Sequence, residues 1–147
     1  GMTKIIVIIA LKTGMRYGEI MNLKWQQAPN SNYIDFGNNT IVIHQSLSKT
    51  QKSRFIPLSE TLRTVLQQIP RFTESEFIFW NTEKKRPIRS IRNSFENALT
   101  KAEISDFKFH DLRHTFASQL VRSGVDLYVV QKLLGHSNPK MTQRNAH

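Results

Sequence analysis

The chain of 147 residues contains no cysteine and no long apolar run, and both absences restrict its chemistry. Without cysteine it can form no disulfide, thiolate nucleophile or cysteine-ligated zinc site, and its composition is compatible with a reducing cytoplasm. The apolar segment IIVIIAL near the N-terminus is far shorter than the roughly 18 residues that a membrane-spanning helix needs. The sequence therefore predicts neither a secreted disulfide scaffold nor a membrane protein.

Acidic residues are scarce. Asp and Glu number 11 against 21 for Lys and Arg, so the formal net charge is +10. This balance favours a polyanionic partner, most simply nucleic acid, because the release of condensed counterions drives such binding. An anionic membrane surface is the alternative, but no long basic amphipathic helix supports it.

Hydrophobic periodicity predicts two helices followed by a small sheet. Residues 3–12 form an apolar helix that Gly14 can end, and a second helix runs from about residue 16 to 23. The segments YIDF, TIVIHQ and SRFIPL are short, partly alternating and separated by the turn-like GNN and SKTQK. They predict a three-stranded antiparallel sheet.

The second half of the chain is helical in pattern. Ser59 can cap an amphipathic helix that Pro70 ends. Three more helices are predicted over residues 91–103, over residues 110–123, and from a capping Asp126 to Gly135, with a last helix start at Asn138 and Pro139. The predicted fold class is α+β, mainly α-helical, in one domain over residues 1–147.

The segment FHDLRHTFASQL gathers His110, Arg113 and His114 on one predicted helix. The histidines lie four positions apart on one helix face, as in zinc signatures of the H-E-x-x-H type, but no third ligand is evident. Two ordinary structural histidines are the simpler interpretation. Arg113 suits an anion better than a cation, because guanidinium offers a planar fork of donors to phosphate oxygens.

Other candidate anion ligands are spread along the chain. Arg16 follows a glycine turn at a helix start, Lys49 lies in the turn between two predicted strands, and His136 follows Gly135. Each alone is equally well explained as an ordinary surface residue.

Four segments together resemble the catalytic domain of tyrosine recombinases, the phage integrase family. They are TGMRYGEI, SKTQKSRFIPL, HDLRHTFAS and LLGHSNPKMTQRNAH, and they occur in the family's order. The resemblance implies the fold of these DNA breaking and rejoining enzymes. It also implies site-specific DNA recombination or integration through a 3′-phosphotyrosine intermediate, with no metal and no cofactor.

The resemblance also implies residue roles. Arg16 and Arg113 would hold the scissile phosphate, His110 and His136 would hydrogen-bond it, and Lys49 would protonate the leaving 5′-oxygen. Glu19 would orient Arg16 from behind, and His114 would be structural. The cations expected to contact DNA are Arg16, Lys49, Lys52, Arg54, Arg89, Arg92 and Arg113.

The nucleophile position departs from the family pattern. The expected tyrosine lies nine residues after His136, where this chain has Asn145, and the three tyrosines of the chain lie in other segments: Tyr17, Tyr33 and Tyr128. An introduced substitution, the decay of a prophage copy and a nucleophile supplied from elsewhere all remain open. The sequence predicts that the chain binds DNA without forming the covalent intermediate, so whether it is itself an enzyme stays open.

Two other functions compete with this interpretation. The segment ASQLVRSGVDLYVVQKLLG resembles a helix-turn-helix of a non-catalytic DNA-binding module, although Leu120 fits poorly where that motif needs a small residue. A zinc hydrolase built on His110 and His114 is the other candidate.

The resemblance finally implies partners and context. The partner is double-stranded DNA, on which the full-length parent would form a homotetramer, whereas this chain alone would be a monomer. Compared with the family, the chain is expected to be a fragment without the N-terminal DNA-binding domain and most of the segment after the nucleophile position. A bacterial or phage-encoded protein of the cytoplasm is expected.

Overall fold

The computed structural model describes residues 1–44 and 52–135 of the chain. These ranges contain six α-helices and six short strands. The helices are α1 (Met2–Thr13), α2 (Tyr17–Met21), α3 (Glu60–Gln67), α4 (Arg92–Lys101), α5 (Asp111–Arg122) and α6 (Leu127–Leu134). The strands are β1 (Leu23–Lys24), β2 (Asn32–Asp35), β3 (Thr40–Ile43), β4 (Arg54–Pro57), β5 (Trp80–Asn81) and β6 (Arg86–Pro87). Within these ranges, every helix is too short or too polar to cross a bilayer.

The main sheet confirms the predicted strands and adds one to them. Strands β2, β3 and β4 pair in antiparallel order, with Ile41 opposite both Ile34 and Ile56. The prediction of three strands was wrong in number, because β1 joins β2 in parallel and makes this sheet four-stranded. A two-residue strand leaves no alternating pattern in a sequence. Its first residue, Leu23, was assigned instead to the end of the second predicted helix, which in the structure stops at Met21.

The helix ends follow the predicted capping residues. Gly14 ends α1 in the left-handed conformation (φ 69°), and Gly135 ends α6 in the same way (φ 72°). Ser59 accepts a hydrogen bond from the N–H of Leu62, and Asp126 accepts one from the N–H of Tyr128. These caps fix where the loops that carry the candidate site residues begin.

The core lies between α1, the sheet and α3, and a smaller apolar cluster joins α5 to α6. The large core includes Ile6, Ile9, Ile41 and Leu66, all fully buried. The smaller cluster consists of Phe116, Ala117, Val130 and Leu134. Within residues 1–44 and 52–135, three charged side chains are also buried: Glu19, Arg54 and Arg113. Buried charges are rare unless they are paired, so they mark the place to look for a functional site.

Candidate functional site

A buried ion pair joins β4 to α2. Arg54 donates from Nη1 to Oε2 of Glu19 at 2.6 Å and from Nη2 to Oε1 at 2.7 Å, the bidentate geometry of a strong guanidinium–carboxylate pair. Its Nε also donates to the carbonyl of Leu133 at 3.0 Å, near the end of α6. One side chain therefore connects the sheet, α2 and α6.

Arg16 lies against the same carboxylate at the start of α2. Its backbone N–H donates to Oε1 of Glu19 at 2.9 Å, the reciprocal contact of a capping box. Its guanidinium Nη1 lies 3.8 Å from Oε2 of Glu19, too far for a hydrogen bond. That Nη1 atom is buried and has no hydrogen-bond partner among residues 1–44 and 52–135. Glu19 thus contacts Arg16 as expected from the sequence, but its main partner is Arg54.

Arg113, on α5, reaches two helix ends. Its Nη1 donates to the carbonyl of Gly14, and its Nη2 donates to the carbonyl of Leu134. Its residue surface is only 2% exposed. These bonds bring the loop that carries Arg16 and the loop after α6 to one place.

The four charged side chains form one electrostatic unit, called here the arginine cluster: Arg16, Arg54, Arg113 and Glu19. The pKa of Arg113 is lowered to about 9, mainly by burial and in addition by the charges of Arg16 and Arg54, which the opposite effect of Glu19 only partly offsets. Burial also lowers the pKa of Arg16, which Glu19 raises and Arg54 lowers. Three guanidiniums share a single carboxylate, so the cluster carries excess positive charge. A bound anion would offset that charge.

His110 lies at the edge of the arginine cluster, at the N-terminus of α5. Its ring meets that of His114 edge-to-face, with 4.9 Å between ring centroids. Burial lowers the pKa of His110, and the neighbouring His114, Arg113 and Arg16 lower it further against a small opposite effect of Asp111. A neutral imidazole at neutral pH can donate a hydrogen bond or accept a proton. Within the described residues, no third potential metal ligand joins the two histidines.

The structure brings some of the predicted site residues together and leaves others apart. Arg16, Arg113, His110 and Glu19 meet as described above. Lys52 is exposed and lies two residues before β4. Two more of the predicted cations are exposed, one before α4 and one at its start: Arg89 and Arg92. Arg92 pairs with Glu96 at 3.2 Å. Three predicted residues lie outside the described ranges: Lys49, His136 and Asn145.

Arg54 does not fit the DNA-contacting role expected for it. Its Nε, Nη1 and Nη2 all donate to Glu19 or to the Leu133 carbonyl, so each of its guanidinium nitrogens already has a protein partner. The alternation of β4 places Arg54 on the same face as the buried Ile56. That alternation was visible in SRFIPL, but a basic hairpin suggested DNA contact instead.

Tyr17 directly follows Arg16 in the sequence, but its hydroxyl is hydrogen-bonded to the loop before α4. It accepts a hydrogen bond from the N–H of Ile91 at 3.2 Å and lies 3.4 Å from the Arg89 carbonyl, to which it donates. Its ring packs edge-to-face on Phe109 at 5.1 Å. These contacts indicate that Tyr17 anchors the loop before α4.

Comparisons with known proteins identify the family and the fold. The sequence profile described as the phage integrase family matches residues 2–147. The chain is 36% identical over 155 residues to the integrase of Salmonella phage P22, a match that covers 98% of this chain and 38% of that protein. The catalytic domain of bacteriophage HP1 integrase superposes with a TM-score of 0.69 at 30% identity, covering 99% of this chain and 74% of that one.

A third comparison concerns the fold alone. The integrase of transposon Tn1549, in complex with circular intermediate DNA, superposes with a TM-score of 0.78 at 22% identity, covering 97% of this chain and 54% of that one. In length, the chain spans only 38% to 48% of the first curated relatives that it matches.

Proposed function

The chain belongs to the phage integrase family, and from that premise we propose that it is the catalytic part of a site-specific DNA recombinase. In this proposal the arginine cluster and His110 bind one phosphodiester of double-stranded DNA. The parent protein would cut and rejoin DNA at that phosphate.

One observation supports the proposal most strongly: within the described part of the chain, Arg16 has a buried guanidinium nitrogen without a partner, and it lies in a cluster with excess positive charge. A buried donor without a partner costs free energy, about 1–3 kcal/mol and more for a charged group. A phosphate oxygen would satisfy this donor and also offset the charge. Guanidinium and phosphate match in geometry as well as in charge.

The geometry supports a division of labour during strand cleavage. A nucleophilic hydroxyl attacks phosphorus, the bond to the 5′-oxygen breaks, and negative charge grows on the non-bridging oxygens. Arg16 and Arg113 would stabilise that charge, and their prior fixation means that little reorganisation is needed. His110, neutral at physiological pH, would hydrogen-bond the phosphate. The proton for the 5′-oxygen is assigned to Lys49 and further phosphate contact to His136, both on the resemblance alone.

The nucleophile is the part that this chain lacks on the family pattern. An amide such as that of Asn145 has no hydroxyl and forms no phosphodiester bond to DNA. We therefore propose that the chain binds DNA and does not form the covalent intermediate. Relatives from phages and bacteria make the bacterial cytoplasm, where the DNA lies, its proposed place of action.

Covalent trapping tests this proposal. The chain and its Asn145→Tyr variant are incubated with a nicked duplex that carries the element's own recombination site, and the products are separated by denaturing electrophoresis. We expect a protein–DNA adduct only with Asn145→Tyr. The matched control is Asn145→Phe, which adds the ring without the hydroxyl and should form none. An adduct with the unchanged chain would refute the proposed inactivity.

A further inference from the structure

We propose that Arg54 is a positioning residue of the phosphate site: it fixes Arg16 through Glu19 and holds the end of α6 beside Arg113, without touching DNA. This inference rests on the proposed function and assigns to Arg54 a role within that same site.

The first step is the link to Arg16. Oε1 of Glu19 accepts both Nη2 of Arg54, at 2.7 Å, and the backbone N–H of Arg16, at 2.9 Å. The orientation of the carboxylate is therefore shared between the two arginines. Without the Arg54 fork, Glu19 would be free to turn, and the start of α2 would lose the contact that sets the direction of the Arg16 side chain.

The second step concerns the charge of Glu19. Burial acts to raise the pKa of this carboxyl, but the hydrogen bonds and charge of Arg54, with smaller contributions from Arg16, bring it below its ordinary value. Arg54 thus keeps Glu19 ionised in a buried place. An ionised Glu19 is also the one described anion that offsets the charges of Arg16 and Arg113.

The third step is the link to α6. Arg54 donates to the carbonyl of Leu133 and Arg113 to the carbonyl of Leu134, so the two guanidiniums hold adjacent peptide groups at the helix C-terminus. Gly135 follows, and a Cβ there would lie 3.0 Å from both Cδ and Nη1 of Arg54. Arg54 therefore packs where a glycine leaves room. In the sequence, Gly135 directly precedes His136, another predicted phosphate ligand.

A double-mutant cycle distinguishes positioning from direct contact. Binding to a duplex carrying the recombination site is measured at the same series of salt concentrations for the unchanged chain, Arg54→Gln, Glu19→Gln and the double variant. We expect each single change to weaken binding roughly two- to thirtyfold, the usual range for residues that act on a site without contacting its ligand. The double variant should lose little more than either single one, because both break the same link. Independent, multiplying losses would overturn the inference.

Two matched controls separate positioning from general effects. Lys52→Gln removes the same charge from an exposed residue two positions away and should reduce the salt slope of binding by about one. Ile56→Val removes one buried methyl group from the same face of β4, so it should lower the stability of the fold slightly and leave DNA affinity unchanged below the unfolding transition. If Ile56→Val weakened binding as much as Arg54→Gln, the effect of Arg54 would be merely structural and the inference would fail.

A spectroscopic readout reports on Arg16 directly. In ¹H–¹⁵N spectra of the arginine Nε–H groups, Arg54→Gln should shift the Arg16 and Arg113 signals in the absence of DNA, whereas Lys52→Gln should not. Unshifted signals would contradict the proposal. If either glutamine variant fails to fold, Arg54→Lys and Glu19→Asp replace the pair; they keep both charges and change only the geometry, and the same non-additive loss is expected.

The failure of this inference differs from that of the proposed function. If Arg16→Ala weakens DNA binding while Arg54→Lys and Arg54→Gln do not, only the role of Arg54 is refuted. If Arg16→Ala has no effect on binding, the phosphate site itself is refuted.

Discussion

Arg16 and Arg113 belong to one cluster but have different surroundings. Arg113 uses two of its nitrogens on the carbonyls that end α1 and α6, whereas Nη1 of Arg16 has no partner among the residues that the structure describes. In physical terms, Arg113 both assembles the site and contributes charge to it, while Arg16 is the residue with spare bonding capacity. A bound phosphate is therefore expected to accept a hydrogen bond from Nη1 of Arg16, the unsatisfied donor.

The loss of folding stability at acid pH tests whether the arginine cluster keeps the carboxyl group of Glu19 ionised. The pKa of Glu19 lies below its ordinary value of 4.5, because Arg54 and Arg16 outweigh the opposing effect of burial. Such a group stabilises the fold above its unfolded-state pKa, and this contribution is lost as the pH falls through the lower folded-state value. Urea unfolding from about pH 7 to about pH 3 should show this loss in the unchanged chain. Glu19→Gln should be less stable overall and should lack this part of the pH dependence.

The control for that experiment lies within the chain. Asp35 also has a lowered pKa, through hydrogen bonds from Asn38, and it is present in both proteins, so its contribution cancels in the comparison. Identical pH profiles for the two proteins, apart from a constant offset, would show that Glu19 is not held ionised by the cluster.

For single residues, the sequence predicts which charged side chains belong to the site but not which of them pair with one another. Arg16, Glu19 and Arg113 could be named from motifs, whereas the fork between Arg54 and Glu19 joins residues 35 positions apart. The bond from Arg113 to Gly14 spans 99 positions. Periodicity describes neighbours along one element, so it contains no information about which distant partners a buried cation will meet.

At the scale of elements, the close approach of α1 to α5 depends on Gly14. A Cβ there would lie 2.3 Å from Cδ2 of Phe116 and 2.7 Å from Cδ2 of Leu134, in a residue already at φ 69°. Gly14→Ala should therefore incur about 1–2 kcal/mol for the left-handed backbone and a further cost for repacking Phe116. Urea unfolding measures the total.

Gly124 provides the matched comparison. Its φ is 87°, but a Cβ there would meet no atom within 4 Å, so Gly124→Ala should incur the backbone cost alone. Equal destabilisation by the two substitutions would contradict the close packing inferred at the end of α1.

The elements that could be predicted are those with clear caps and periods. The helix stops at Gly14 and Gly135, and the start after Ser59, follow from single residues with known preferences. Strand β1 could not be predicted, because its two residues pair in parallel with β2 and have no period of their own. Its assignment depends on a neighbour that the local sequence does not reveal.

For the whole molecule, the net charge of +10 governs its association. Like charges oppose self-association in solution, and DNA phosphates remove that opposition. We therefore expect the chain without DNA to sediment as a monomer at low ionic strength. A stable tetramer in analytical ultracentrifugation without DNA would contradict this expectation.

We propose that Arg16 and Arg113 grip the same DNA phosphate, and the coupling of their contributions to DNA affinity shows whether they do. The affinity of the unchanged chain, Arg16→Ala, Arg113→Ala and the double variant for the recombination-site duplex is measured at one salt concentration, with folding checked for each. We expect a coupling free energy of about 1 kcal/mol or more between the two residues, because once one guanidinium is removed, the other no longer holds the shared phosphate as well. If the affinity losses of the two single variants add up to that of the double variant within about 0.5 kcal/mol, the two guanidiniums act at separate places and do not grip one phosphate.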